Sequence, residues 1–390
     1  MWPYVLKRIL WFIPTLFAVT LIGFILLANA PGDAVDSLVM SSNSGGSLKT
    51  TQDIEQQKTY WRKQLGLDLP LFYFSICKLS EPDTLYKIHD ETQLEKVNEQ
   101  IKTTEGYRNY LPKIVWYGSS NQYHRWLFGG FNSKGIIRGD FGLSISKKEP
   151  VIVIIKDKLI WSLFFSILSI ILAYAISIPI GIKIAQQPES KFSKSSQFIL
   201  FLMYSMPSFF VGVLLLMLFA NPDILSIFPP SGIKPIEGYY DHASLIEKFI
   251  VSVPYMILPL ICYTYSSLAF ITKLTATSIQ EQLQLDYIKT AKAKGLSSNS
   301  IIWKHALKNS ALPLITVFST VFPSIVGGSV IIESIFTIPG MGLETVRAII
   351  AQDYPVVIAI ITLSSILTIF SYLLADILYA WIDPRIRITK

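Results

Sequence analysis

Few residues in this sequence have the types and spacing that chemistry needs. The four histidines, His89, His124, His242 and His305, are scattered along the chain, so no metal site is expected. There is no G-x-x-x-x-G-K-[ST] loop to cradle phosphates; Gly129-Gly130 and Lys134-Gly135 have its composition in the wrong order. H-E-x-x-H and G-x-S-x-G are absent too, which removes zinc-peptidase and serine-hydrolase chemistry. The chain therefore reads as no enzyme, with no ATPase motif, no catalytic residue and no cofactor of its own. Any uphill work it does must draw on a partner or an ion gradient.

Two acids remain, both inside apolar blocks: Glu333 and Asp376. An ionisable residue at membrane depth marks a functional position by default, because its burial in hydrocarbon is costly. Glu333 lies towards one end of its block and Asp376 about two turns from the end of the last. For each, structural anchoring and a place on a transport path both stay open. Pro207, in the middle of another apolar block, carries the same pair of readings. Ion-driven carriers show richer relays or Gly-rich helix breaks at mid-membrane.

The elements that must hold these residues are membrane spans. The chain has 390 residues, 51% hydrophobic and 16% charged, against about 25% charged in a soluble protein. Apolar blocks of 18 or more residues are span candidates, and six are read: Ile9–Ala28, Leu159–Ala185, Phe198–Ala220, Phe249–Thr272, Leu312–Phe336 and Pro355–Ile382. Ala28-Asn29-Ala30 imitates a signal-peptidase site, but the block is longer than a signal core and Pro31 disfavours cleavage. It is read as a retained span. Pro14, Pro179, Pro207, Pro254, Pro259 and Pro323 lie within spans, where neighbouring helices satisfy the freed carbonyls.

The net charge of +7 comes without a basic recognition helix or RNA-binding aromatics, so nucleic acid is not an expected partner. In a multispan protein it reflects basic residues held on the cytoplasmic side. Lys7 and Arg8, Lys191 and Lys194, Lys273 to Lys308, and Arg385, Arg387 and Lys390 then all fall inside. Asp223, Glu237, Asp241, Glu344 and Asp353 fall in outer loops. Both termini are expected in the cytoplasm. The polar stretch 31–158 is expected outside, since long loops translocate regardless of charge. Cys77 and Cys262 lie at different membrane levels and are expected as free thiols.

The most informative polar stretch is Asp286 to Leu314, DYIKTAKAKGLSSNSIIWKHALKNSALPL. It reads as two short helices. The first ends at Gly295, suited to a left-handed residue, and the second is capped by Ser297 or Ser298 and runs to about Lys308. Composition alone suits a basic helix lying on lipid. Thr290, Ala291, Ala293 and Gly295 are small enough for a helix to enter another protein's groove.

Here the chain resembles the binding-protein-dependent ABC importer permeases. Lys289-Thr290-Ala291, three residues and then Gly295 is similar to their E-A-A-x-x-x-G loop, with His305-Ala306-Leu307-Lys308 at its later I-x-L-P. Lys289 replaces an acid and Lys308 a proline. Both departures resemble the dipeptide/oligopeptide/nickel branch, Y-x-x-T-A-x-A-K-G…H-A-L. Arg8, Pro14 and Ala30-Pro31-Gly32-Asp33, Leu65 to Leu71, Gly139-Asp140-Phe141-Gly142 and Met206-Pro207-Ser208-Phe209 continue the likeness. So do Glu333, Phe336, Pro339-Gly340-Met341-Gly342, Asp376, Tyr379 and Asp383-Pro384-Arg385. Ser75–Ile137 is longer than the likeness accounts for, and reads as a cap over a binding protein or an inert insertion.

The resemblance implies an all-α integral membrane protein of the bacterial cytoplasmic (inner) membrane, with six transmembrane helices in the type I ABC importer permease fold. It divides into a first helix 1–30, an extracytoplasmic insert 31–158 and a five-helix core 159–390 with a cytoplasmic coupling loop 273–311. The implied partners are a second homologous permease, two cytoplasmic ABC ATPase subunits, a solute-binding protein and the lipid bilayer. Di- or oligopeptides, or nickel chelates, would cross by alternating access. Lys289, Thr290, Ala291, Ala293, Gly295, His305 and Leu307 would couple to the ATPases. The alternative is an ion-coupled secondary carrier.

Overall fold

A computed structural model of the chain describes residues 2–28, 35, 39, 51–88, 91–103, 106, 110–130, 134–235, 244–320 and 329–382. Several readings lie outside those residues: the exit of the first span at Asn29 to Asp33, His89, Arg108, Glu237, Asp241 and His242, the middle of the fifth span with Pro323, and the closing Asp383 to Lys390.

In chain order come α1 (Trp2–Ala28), α2 (Thr51–Leu65), β1 (Phe74–Lys78), α3 (Glu91–Thr103), β2 (Pro112–Trp116) and α4 (Gln122–Phe128). Then follow α5 (Val151–Gln186), α6 (Lys191–Ser205), α7 (Ser208–Phe219), α8 (Leu245–Leu283) and α9 (Asp286–Ala293). A helical segment over 298–309, α10, joins Ser298–Ser300, Ile301–Ala306 and Leu307–Asn309. The chain closes with α11 (Ala311–Ser319), α12 (Val330–Ile335), α13 (Met341–Ile350) and α14 (Tyr354–Ile382).

The protein is mainly helical, with one qualification to the all-α expectation. β1 and β2 form an antiparallel pair, with Phe74 opposite Trp116 and Ile76 opposite Ile114. Five residues of alternation in a polar stretch are a weak signal, and the pairing depends on partners 42 residues apart.

Among the described residues, four helices are long and apolar enough to cross a membrane: Arg8–Leu26, Val151–Gln186, Ile246–Tyr265 and Tyr354–Trp381. α6 and α7, expected as one third span, meet at 98°. Pro207 has no N–H to give, and the residue before a proline is pushed out of the helical region. Met206 is accordingly extended, at φ −93° and ψ 124°, and the Tyr265 hydroxyl donates to its carbonyl.

The chain forms two compact units. In the one made of Met1–Leu16, Ile155–Arg347 and Thr362–Lys390, a core of Phe165, Met256, Leu258, Cys262, Ile332, Phe336 and Ile338 joins α5, α8 and α12. Gly181 lets α5 approach α8 closely: a Cβ there would stand 2.7 Å from the Thr275 Cβ. Small residues serve this purpose at membrane helix crossings.

In the unit made of Phe17–Ile154 and Ala348–Ile361, Phe24, Tyr123 and Ile358 centre a cluster with Leu71, Phe72 and Trp126. Tyr123 is fully buried, and its hydroxyl pairs with Thr20 at 2.8 Å. The Asp353 carboxylate, also buried, accepts from Ser144 and Ser146 hydroxyls at 2.5 and 2.6 Å and from two backbone N–H groups. It pins the 144–146 turn.

Candidate functional site

The expected coupling residues come together on α9 and α10. α9 ends in a Schellman arrangement. The Leu296 N–H donates to the Ala291 carbonyl at 3.3 Å and the Gly295 N–H to the Lys292 carbonyl at 3.0 Å. That geometry needs a left-handed residue at the helix exit, and Gly295 has φ +73°. A Cβ on Gly295 would meet no atom within 4 Å. The glycine is needed by the backbone and by no neighbour within the chain.

Ser297 then caps α10, accepting from the Ser300 N–H at 3.3 Å. α10 does not stay α-helical. Ile301–Ala306 is wound as a π-turn, closed by the Leu307 N–H on the Ile302 carbonyl. The wider turn buries Ile301, Ile302 and Ala306.

These residues share a cluster with Ile182 and Ala185 of α5, Ile279 of α8, and Ile288 and Ala291 of α9; Leu307 packs against it. The seven expected positions therefore divide. Ala291 is buried and faces the chain's own core, while Leu307 and His305 are half-buried. Lys289, Thr290, Ala293 and Gly295 are exposed, as are Leu285 and Leu296 on either side. The inward pair Ile288 and Ala291 lies one turn apart, the spacing of a single helix face. Lys289 pairs with Asp286 at 2.8 Å across exposed side chains, which adds little stability. The Thr290 hydroxyl bonds back to the Asp286 carbonyl.

Glu333 is fully buried and joins three separate parts of its unit. Ser162 of α5 donates to Oε1 at 3.0 Å, Tyr263 of α8 to the same oxygen at 3.1 Å, and the Leu343 N–H to Oε2 at 2.8 Å. Both hydroxyls also accept, from the backbone N–H groups of Met341 at 2.8 Å and Ser329 at 3.3 Å. Gly340 and Gly342 make room. A Cβ on Gly340 would lie 2.5 Å from the Glu333 carboxylate, and one on Gly342 would lie 2.7 Å from the Val330 nitrogen. A buried carboxyl group with this many donors is an anchor between helices.

Asp376 forms an ion pair with Arg8 of α1. Its charged partner comes from the other end of the sequence. Pro207 stands at the 98° break between α6 and α7. Ser162, Tyr263 and Asp353 carried no sequence signal of their role. Gly340 and Gly342 did, as paired glycines seven and nine positions beyond a buried acid. Among the described residues, no group of three or more His, Cys, Asp or Glu could hold a metal ion.

The family described as binding-protein-dependent transport system inner membrane component matches residues 177–388. The chain is 31% identical over 385 residues to the oligopeptide transport system permease protein AppB of Bacillus subtilis, covering 98% of this chain and 99% of that one. It is 29% identical over 404 residues to the dipeptide transport system permease protein DppB of Escherichia coli, covering the whole of both. The peptidoglycan transport system permease protein YejB of Agrobacterium fabrum is 29% identical over 399 residues, 99% of this chain and 98% of that one.

Proposed function

We propose that this chain, which belongs to the family of binding-protein-dependent transport system inner membrane components, passes di- or oligopeptides through the membrane by ATP-driven alternating access. It is a multi-pass inner-membrane permease of the peptide ABC importers. Such a permease works with a solute-binding protein and ATPase subunits. The arrangement proposed here is one homologous permease partner, two ATPases on the cytoplasmic side, both termini on that side, and segment 31–158 facing the binding protein. The cargoes in the relatives' names, oligopeptide, dipeptide and peptidoglycan, favour peptides; nickel chelates, which those names do not carry, are the second cargo class proposed.

One observation supports the mechanism most: α9 presents Lys289, Thr290 and Ala293 outward while Ile288 and Ala291 back it against α5 and α8. Close-packed cores transmit displacement instead of absorbing it. A push on the outer face of α9 therefore reaches Ile182 and Ala185 at one end of α5. Ser162, about 35 Å along the same helix, is hydrogen-bonded to Glu333. Movement at the ATPase face thus arrives at the α5, α8 and α12 anchor. For ATP to drive this cycle, the outer face of α9 must meet the two ATPase states differently. The ion-coupled alternative has less support, because the Glu333 and Asp376 carboxylates are both engaged by partners.

Reconstitution tests the proposal. The chain with its permease partner, ATPases and binding protein, sealed into vesicles, should take up peptide only when ATP is supplied. The purified chain alone should hydrolyse none. Uptake that persists without ATP and collapses with the ion gradient would overturn the mechanism, as would ATPase activity in the chain alone.

A further inference from the structure

The β1–β2 pair is inside out for a ribbon in water. Its outward face carries Phe74, Ile76, Ile114 and Trp116, between 39% and 71% exposed. Phe74 and Trp116 stack with ring planes 4° apart. Lys78 and Pro112 stand opposite each other at the far end of that face. The opposite face carries Ser75, Cys77, Lys113 and Val115, all partly covered, with Ser75 hydrogen-bonded to Tyr117 and Lys113 paired with Asp83 at 2.7 Å. A half-solvated antiparallel sheet puts its apolar side on the core and its polar side in water. A contiguous apolar face turned outward marks a surface for something other than water.

The occupant follows from depth. The ribbon shares an open pocket of about 520 Å³ with α1, lined among others by Leu21, Ile25, Phe72, Phe74, Tyr86 and Tyr117. The α1 span ends at Leu26, so Leu21 lies about 8 Å inside that end at 1.5 Å per residue. Tyr123 of α4 reaches deeper, stacking edge-on to Phe17 at 5.8 Å and Phe24 at 5.5 Å. Amphipathic elements at a membrane surface sink their apolar face about 5–10 Å, to the boundary of headgroups and acyl chains. The neighbouring α1 residues Ile22, Ile25 and Leu26 are themselves outward and exposed, and Phe74 at one end of the ribbon's apolar face lines the pocket with Leu21 and Ile25. Trp and Tyr concentrate at this level of a bilayer.

We infer that the outward face of the β1–β2 ribbon is seated in the phospholipid leaflet on its own side of the membrane, with acyl chains entering the pocket beside Leu21 and Ile25. The ribbon is then a lateral anchor that holds segment 31–158 down against the bilayer. The inference is independent of which cargo crosses.

Spin labels test it. Ile76→Cys and Ile114→Cys, each in a Cys77→Ser, Cys262→Ala background, are labelled with a nitroxide, and the full chain is reconstituted into phospholipid nanodiscs with and without its partners. Glu95→Cys on the polar helix α3 is the aqueous control. At both ribbon positions, collisions with oxygen should exceed those with a water-soluble chromium chelate, several-fold above the ratio at position 95. Adding the binding protein should leave that ratio unchanged. Chelate-dominated collisions at 76 and 114 would place the face in water and overturn the inference. Loss of both collision types on adding the binding protein or the second permease would make it a protein interface, and would overturn it equally.

Discussion

Gly340→Ala should be among the most damaging single-methyl additions in this protein. The new Cβ would stand 2.5 Å from Cδ and Oε1 of Glu333 and 2.6 Å from Oε2. The Glu333 side chain cannot swing aside, because it is fully buried and held by Ser162, Tyr263 and Leu343. Relief requires losing one or two of those hydrogen bonds, roughly 1–3 kcal/mol each for a buried group, or shifting a packed loop, about 1–3 kcal/mol. The expected cost is about 2–3 kcal/mol. A double-mutant cycle isolates the cause. Glu333→Ala removes the three atoms that clash, so adding Gly340→Ala to it should cost almost nothing, a coupling of about 2–3 kcal/mol. Gly342→Ala is the internal control. Its Cβ would meet the Val330 backbone at 2.7 and 2.9 Å and Glu333 Oε2 at 3.0 Å, so most of its penalty should persist when Glu333 is Ala. Reversible unfolding by SDS in mixed micelles reads each value. Additive costs for Gly340→Ala and Glu333→Ala, or rescue of Gly342→Ala, would refute the anchor.

Three further outcomes are expected. With open space around it, Gly295 should respond through backbone strain alone: Gly295→Val should cost more than about 1 kcal/mol and abolish ATP-driven uptake with the spans still inserted. Gly295→Asn should retain most uptake, and equal uptake by the two variants counts against the conformational argument. Asp376→Asn should lower uptake without ending it, since the amide keeps an oxygen that accepts from Arg8. Exchanging the charges, Arg8→Asp with Asp376→Arg, should recover part of the loss; complete loss at normal abundance would favour ion coupling. Single cysteines at the exposed Ser119 and Ser298 should differ towards an impermeant thiol reagent on intact cells, 119 labelled and 298 protected. The reverse pattern would invert the proposed topology.

The sequence by itself determined what depends on short stretches and composition. Six long apolar blocks were legible, and among the described residues four of them hold a helix long and apolar enough to cross a membrane, since a span needs only length and hydrophobicity. The turn at Gly295 and the cap at Ser297 were legible because helix ends are decided by a few adjacent residues. The tertiary structure decided everything that joins distant residues. It turned Ala291 inward and left Ala293 outside, a choice made by Ile182, Ile279 and Ile302 and invisible in a run of small residues. It gave Asp376 a partner 368 positions away in Arg8, and placed Ser162, Tyr263 and Leu343 around Glu333. A proline in an apolar block foretold a kink; only the extended Met206 with Tyr265 beneath its carbonyl made it a 98° break. A buried polar group takes its meaning from the donors that surround it, and those donors are assembled by packing rather than by sequence order.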